Sequence, residues 1–489
     1  MDETLFCVPN PNHACRKGEG VYLTASYRPE QVKTTRDPAI GHPEGYRIRI
    51  QHGEITVESA APAGEFYAFQ TLRQMMHGAR ALPELCLCDE PVFPYRGFMI
   101  DCARHFFTVD ELKKMIDAAA LYKLNKFHWH LTDDQGWRIQ IDSFPLLTQI
   151  GSRRAGSHFN REKNTGEEYG GFYTKDQIRE IVDYCTQRFI EVIPEIDIPG
   201  HTSAAIAAYP HLSCTQEAIP VRICGGIFRD ILCAGRESTY DFVFRVLDEV
   251  IELFPSKRIH IGGDEAPKDR WNKCPHCRAA MEREHITDAE GLQGYFMNRV
   301  IDYLTAKGVR ATVWNDALKS GNLKNGATVQ MWMDRGGYSV RRANRGGQVV
   351  VSDFSHYYMD YPYGLTPLEK TYNYRPLVPE LTFAGEKNIL GVEGELWTEH
   401  VPDFARLCYQ AYPRFAAIAE TGWTRAERKN IYNFERRFQK SIPLLEEIGV
   451  TPAPLGEWSP RGLAGRLGAA RFFLRSINAD TVKNQLDIK

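Results

Sequence analysis

The sequence predicts an α/β protein: a (β/α)8 TIM barrel preceded by a small α+β domain. Three observations carry that expectation. Eight apolar, strand-like segments recur between residues 96 and 397, and helical periodicity fills most of the gaps between them. The span of about 330 residues is in the usual range for such a barrel. No glycine-rich phosphate loop follows the first strand, where Asp101-Cys-Ala-Arg-His stands instead, so an open doubly wound sheet fits less well.

The elements follow in order. Residues 46–58 alternate apolar and polar around His52-Gly53, which predicts a β-hairpin. A helix from about Gly64 then places Phe66, Phe69, Leu72 and Met75 at helical spacing, and the small domain is assigned residues 1–92. Candidate barrel strands are 96–104, 126–133, 191–197, 258–265, 310–316, 328–332, 348–354 and 388–397. Candidate helices are 109–122, 175–189, 239–254, 291–306, 338–344 and 404–419. The barrel is assigned residues 93–448, and residues 449–489 form a C-terminal extension in which only a packed terminal helix is expected.

Composition narrows the function. The 489 residues carry 60 basic and 62 acidic side chains, a net charge of -2, and no long basic stripe, so no nucleic-acid partner is expected. No stretch reaches about 18 uninterrupted apolar residues, and the first residues lack a basic segment followed by an apolar one. The expectation is therefore no membrane partner and a cytoplasmic location. Twelve cysteines, several in or beside apolar strands, fit buried thiols in a reducing compartment. Nothing in the pattern sets an oligomeric state.

Barrels of this kind hold their active sites at the C-terminal ends of the strands. Those ends carry Asp101 and Arg104; His128, His130 and Asp133; Asp197 and His201; Asp264 and Glu265; Trp314 and Asp316; Trp332; Asp353; and Glu393, Glu395, Trp397 and Glu399. Carboxylates, one arginine and several tryptophans suit a sugar ring, whose C–H faces stack on indole while its hydroxyls need oriented polar partners. The run Arg258-Ile-His-Ile-Gly-Gly-Asp-Glu stands out: an apolar segment stops at two glycines and then presents two adjacent carboxylates. Such a pair can divide charge stabilisation from proton donation.

Five ordered motifs carry a resemblance. Arg96-Gly-Phe-Met-Ile-Asp-Cys-Ala-Arg-His-Phe-Phe, His128-Trp-His-Leu-Thr-Asp-Asp-Gln-Gly-Trp-Arg, Pro194-Glu-Ile-Asp-Ile-Pro-Gly-His-Thr, His260-Ile-Gly-Gly-Asp-Glu and Gly391-Val-Glu-Gly-Glu-Leu-Trp-Thr-Glu resemble successive motifs of glycoside hydrolase family 20, the β-N-acetylhexosaminidases. The resemblance covers about residues 45 to 425. It implies an exo-acting, retaining hydrolase for glycans ending in β-linked N-acetylglucosamine or N-acetylgalactosamine, in which the substrate's own acetamido oxygen attacks the anomeric carbon to give an oxazolinium. By motif, Glu265 resembles the general acid and later base, and Asp264 the residue that orients the acetamide and stabilises its positive charge. The candidate strand 258–265 runs through both, and neighbouring strand residues point to opposite sides, so one carboxylate can face the leaving oxygen while the other turns under the ring.

Further roles are implied the same way. Arg104 and Glu399 resemble the grip on the terminal sugar's hydroxyls, Asp360 the reader of its far edge, and Tyr358 the phenol bonded to the acetamide oxygen. Trp314, Trp332 and Trp397 resemble an aromatic box, and Asp133, Asp197 and His201 the groups that orient the acid. No cofactor or metal is expected, because carboxylate, imidazole, arginine and aromatic groups fill every role.

Some features stand apart. Cys274-Pro-His-Cys277, with His285 nearby, can be read as half a zinc site, although a lone C-x-x-C pair is weak evidence for metal, and Cys214, Cys224 and Cys233 punctuate the loop before the helix near Thr239 as buried thiols or a pair. His128 and His130 on one side of a strand are also how a metal-dependent amidohydrolase on this barrel begins, but the later histidine ligands are missing. A catalytically inactive amino-sugar-binding protein is the remaining alternative, against which the intact Asp264-Glu265 pair speaks.

Overall fold

The computed structural model describes residues 6–159, 166–460 and 462–476. The hairpin forms as expected: strands Tyr46–Gln51 and Glu54–Ser59 turn at His52-Gly53, both at positive φ (51° and 75°). It is the centre of a larger sheet than the sequence predicts. Strands His13–Leu23, Lys33–Arg36 and Ala81–Asp89 join it, giving five strands in which 81–89 and 46–51 lie between 13–23 on one side and 54–59 and 33–36 on the other. Strand 13–23 is charged and mostly exposed, and all of 33–36 is exposed, so neither has the alternation that pattern reading needs. Strand 81–89 does alternate, but Pro83 disguises it.

Helix Pro62–Met76 buries Tyr67, Ala68, Leu72 and Met75 against this sheet. Contacts at the starts of barrel strands fix the small domain there. The wholly buried Arg96 guanidinium pairs with Glu44 at 2.8 and 3.0 Å, and Lys123 Nζ donates to the Tyr46 hydroxyl at 2.7 Å. Trp423 completes the core of the small domain and donates its indole N–H to Asp89 at 2.9 Å. The five-stranded domain thus sits at the end of the barrel opposite the mouth.

The barrel closes with eight parallel strands in sequence order: Tyr95–Asp101, Lys126–His130, Glu191–Glu195, Arg258–His260, Arg310–Trp314, Thr328–Met331, Val349–Val351 and Ile389–Gly394, the last pairing with the first. Helices Val109–Leu121 and Lys175–Thr186 begin at capping boxes, Thr108 with Glu111 and Thr174 with Gln177. Helices Glu237–Leu253, Ala289–Ala306 and Tyr338–Asn344 follow the predicted periodicity.

Three expectations change. The single helix predicted over 404–419 is two, Phe404–Ala411 and Arg414–Trp423, because Pro413 cannot donate the N–H that a continuous helix requires. An unpredicted eighteen-residue helix, Ile431–Ile448, packs Phe434, Phe438, Leu444 and Leu445 into the core. The fourth strand stops at His260 rather than Glu265. In the C-terminal extension helix Gly462–Ser476 forms, while residues 477–489, like residues 1–5 of the small domain, lie outside the described residues. No helix among the described residues is long and apolar enough to cross a membrane.

Candidate active site

Beneath the barrel mouth the interior is a charged network rather than apolar layers. Glu195, at the end of the third strand, accepts from Trp314 Nε1 at 2.9 Å and meets His260 Nδ1 at 2.8 Å, His128 Nε2 at 3.1 Å and His130 Nδ1. Burial works against its charge, but His260, His130 and His128 outweigh that and hold the carboxyl well below its usual range. Burial alone would also lower His128; Glu393 and Glu195 instead push it up to about 10. The second nitrogen of His128 meets Glu393 at 2.8 Å, and that of His130 meets Asp133 at 3.1 Å. Each of these imidazoles spends both nitrogens on carboxylates, which leaves neither lone pair for the metal of an amidohydrolase.

Above this floor the chain leaves the fourth strand and turns sharply, with φ of 63° at Gly262, 103° at Gly263 and 46° at Glu265. Gln293 holds the turn by donating to the Gly263 carbonyl at 2.7 Å. Asp264 and Glu265 therefore diverge because the loop turns, not because a strand alternates. The Asp264 side chain is 14% exposed and the Glu265 side chain 36%, so one acid is sunk into the site and the other stands at its rim.

His201 links the two. Its Nε2 lies 3.7 Å from Asp264 Oδ2 and 3.7 Å from Glu265 Oε2, and its Nδ1 faces Asp133 at 3.3 Å and Asp134 at 3.2 Å. Burial opposes protonation of this imidazole, but Asp133, Asp134 and Glu265 raise its pKa well above the ordinary value. Burial also opposes the charge on Asp133, yet Arg104, His201 and His130 hold it ionised below the usual range. Asp197, against Gly262, is driven far up by burial and then by the charge of Asp264. Asp264 rises to about 7, from burial first and from Glu265, Glu195 and Asp316 after it, against the pull of His201.

The other walls enclose about 420 Å³. Arg104, at the first strand's end, pairs with Asp133 at 2.6 Å, Asp101 at 3.3 Å and Glu399 at 3.8 Å, and its guanidinium lies 5.0 Å from the Trp397 ring. Trp332 donates its N–H to Asp316 at 2.7 Å and stacks at 6.2 Å on Tyr358, which stands 6.1 Å from Trp397. Tyr358 is raised well above an ordinary phenol by burial and by Glu395, so it stays a donor. Asp360 is pushed up to about 8 by burial and by Glu399, and Arg414 clamps its loop through the carbonyls of Met359 and Tyr361. Asp264 Oδ1, Asp360 Oδ1 and Trp397 Nε1 are buried with no hydrogen-bond partner among the described residues, so three polar atoms converge on the cavity unspent.

Of the residues singled out in the sequence, the cavity gathers Arg104, Asp133, Asp197, His201, Asp264, Glu265, Trp332, Tyr358, Asp360, Trp397 and Glu399. Trp314 is not among its lining. It is 1% exposed, with its N–H spent on Glu195, and packs behind Trp397 at 6.0 Å. Sequence reading missed Asp134, whose carboxylate accepts the Ser203 N–H at 2.9 Å; its position beside Asp133 was the available signal. It also missed Tyr361 of the loop after Asp360, and Phe472 and Phe473 of the C-terminal helix, which has no motif to mark it.

Comparisons with known proteins agree with this geometry. Residues 93–426 match the family model "Glycosyl hydrolase family 20, catalytic domain", and residues 13–89 match "Glycosyl hydrolase family 20, domain 2". The chain is 39% identical over 429 residues to a beta-hexosaminidase of Porphyromonas gingivalis, covering 83% of this chain but 54% of that protein, so it spans about half of that relative's length. It is 35% identical to a beta-hexosaminidase of Akkermansia muciniphila, with 88% of each chain covered. The crystal structure of an exo beta-N-acetylglucosaminidase from Vibrio harveyi, in complex with N-acetylglucosamine, superposes with a TM-score of 0.81 at 30% identity, over 92% of this chain and 78% of that one.

Proposed function

Because the chain belongs to glycosyl hydrolase family 20, we propose that it is an exo-acting, retaining β-N-acetylhexosaminidase that removes terminal β-linked N-acetylglucosamine or N-acetylgalactosamine from glycans. The observation that carries the reading is the split pair: Asp264 enclosed and raised to about 7, Glu265 at the rim, both against one imidazole.

The residues divide the work. The substrate's acetamido oxygen forms a bond to the anomeric carbon as the aglycone oxygen leaves, taking a proton from Glu265. Asp264 holds the acetamide N–H and balances the positive charge that develops in the oxazolinium, and that charge favours its ionised form. Tyr358 donates to the acetamide oxygen, while Trp332 and Trp397 enclose the acetyl group, with Trp314 buttressing Trp397. Arg104, Glu399 and Asp360 take the remaining hydroxyls of the terminal ring. Glu265, now a carboxylate, then removes a proton from the water that opens the oxazolinium from the face the aglycone left. Two inversions give net retention. Asp197 and His201 position the acids and hold their charges apart.

A panel of aryl β-glycosides with and without the 2-acetamido group tests this. The N-acetylglucosaminide should turn over with a β-configured first product, and the matching glucoside should be essentially inert. Losing the internal nucleophile forfeits proximity worth up to about 7–11 kcal/mol in model reactions. Comparable turnover of the glucoside, or an α product, would reject the mechanism.

A further inference from the structure

Four cysteines remote in sequence converge outside the sugar site. Cys214 and Cys233 come from the long loop after the third barrel strand, where an antiparallel bridge between Ser213 and Leu232 and the bond from Cys233 N–H to the Leu212 carbonyl (2.8 Å) set them side by side. Cys274 and Cys277 come from the loop after the fourth strand, at the N-terminus of the nine-residue helix Pro275–Arg283. Their sulfurs lie 3.6 Å apart for Cys233–Cys277, 3.8 Å for Cys233–Cys274 and 3.8 Å for Cys214–Cys277, and all four fall within 4.8 Å of one another.

Those separations discriminate between chemistries. A disulfide needs about 2.05 Å between sulfurs. Tetrahedral zinc with Zn–S bonds of about 2.3 Å places its four sulfurs about 3.8 Å apart. A backbone feature accompanies the thiols. Gly235 approaches so closely that a β-carbon there would lie 2.2–2.3 Å from main-chain atoms of His276 and Cys277, so the two cysteine-bearing loops abut backbone to backbone. Cys233, Cys274 and Cys277 are at most 5% exposed, and the helix N-terminus favours negative charge at Cys274 and Cys277.

We infer that Cys214, Cys233, Cys274 and Cys277 bind one structural Zn²⁺ as a closed site of four thiolates. The expectation from sequence of no metal, with Cys274-Pro-His-Cys277 as an isolated half-site, is thereby revised: the other half lies 41 and 60 residues upstream of Cys274, at a spacing no short motif records. Exposed His276 is not a ligand, and Cys224 sits apart, its carbonyl bonded to Gln135. The ion staples the loop that carries Asp197 and His201 to the loop that carries Asp264 and Glu265. Trp271 reinforces the same seam by donating to the Leu232 carbonyl at 3.0 Å. Binding replaces the four thiol protons with one dication. The site is independent of the glycosidase reading, since four filled positions leave none for a substrate.

The test uses the full chain purified from zinc-replete cells without chelator. Elemental analysis should find about one zinc per chain, and X-ray absorption at the zinc edge four sulfur neighbours at about 2.3 Å. Titration with a mercurial should release that zinc to a metallochromic dye. Protein refolded with Co²⁺ alone should show thiolate-to-cobalt charge-transfer bands and the intense visible bands of a tetrahedral site. Cys277→Ser should lose the bound zinc and lower Tm; because it can also fail to fold, the wild-type measurements decide. Zinc below a tenth of an equivalent, nitrogen or oxygen in the first shell, stoichiometric iron, or disulfides mapped among these four cysteines would each overturn the assignment.

Discussion

A β-carbon on Gly262 would sit 1.6 Å from Oδ1 of Asp197, so the turn that aims the paired acids exists only because residue 262 is glycine. Its φ of 63° is a second reason, since side chains adopt that backbone at a cost. Gly262→Ala should therefore displace Asp264 and Glu265 together. A displacement of about 1 Å in a positioned group costs on the order of 10²-fold, so kcat/KM on an aryl N-acetylglucosaminide should fall at least that far. Near wild-type kinetics from a folded Gly262→Ala enzyme would show that the turn does not set the acids.

The two acids separate by leaving group. If Glu265 protonates the departing oxygen, Glu265→Gln should cost roughly 10²–10⁴-fold on alkyl or sugar aglycones and far less in bond cleavage of an activated phenol. Asp264→Asn should slow oxazolinium formation for every leaving group, by on the order of 10²–10³, as when one oxyanion-type partner is removed. The measurement is pre-steady-state phenol release across a leaving-group series, because in the proposed mechanism later hydrolysis also uses Glu265. A steeper dependence for Asp264→Asn would reverse the roles.

The barrel and most of its mouth were legible because each strand end carries polar or aromatic residues just past an apolar run. What stayed hidden has physical causes. The strand 13–23 is exposed and charged, so its burial pattern lacks a period. Residues 261–265 look like a strand in composition, but their conformation is set by positive φ at Gly262 and Gly263 and by Gly262 against Asp197, a contact 65 residues distant that local pattern does not encode. The motif resemblance puts Trp314 in the aromatic box, and its place at a strand end agrees with that. The Glu195 carboxylate below, invisible as a partner in sequence, claims its indole N–H.

The C-terminal extension is expected to hold a packed helix but gives no functional signal in sequence, yet Phe472 packs 5.8 Å from Tyr361 and 5.1 Å from His400 at the cavity rim. Aromatic contacts of this kind contribute about 0.5–1.5 kcal/mol, a factor of roughly 2–10. Phe472→Ala should raise KM for a β-linked disaccharide by about that factor while kcat on it stays within about twofold. Steady-state kinetics of the variant beside the wild type decides it; an unchanged KM would make the helix a bystander.

In the proposed mechanism Asp264 couples the reaction to stability. Its carboxyl rises to about 7 in the fold from a reference of 3.8, by burial first and then by Glu265, Glu195 and Asp316. A raised carboxyl means that the fold prefers the proton. The stabilisation is fully present below about pH 3.8 and is lost as pH rises through about 7, which is where the proposed mechanism needs the ionised form. Asparagine at 264 is neutral at every pH. The Tm of Asp264→Asn minus that of the wild type should therefore be small near pH 4.5 and grow toward pH 8.5, by the equivalent of about 1–4 kcal/mol. Asp197, raised by burial and by Asp264, titrates with it, so the midpoint of that growth belongs to the pair. The wild type's kcat/KM should climb over the same interval. Melting curves of both proteins across this range are the check: a difference that is flat with pH, or that shrinks as pH rises, would mean that Asp264 is already ionised in the ligand-free fold and that substrate binding does nothing to its charge.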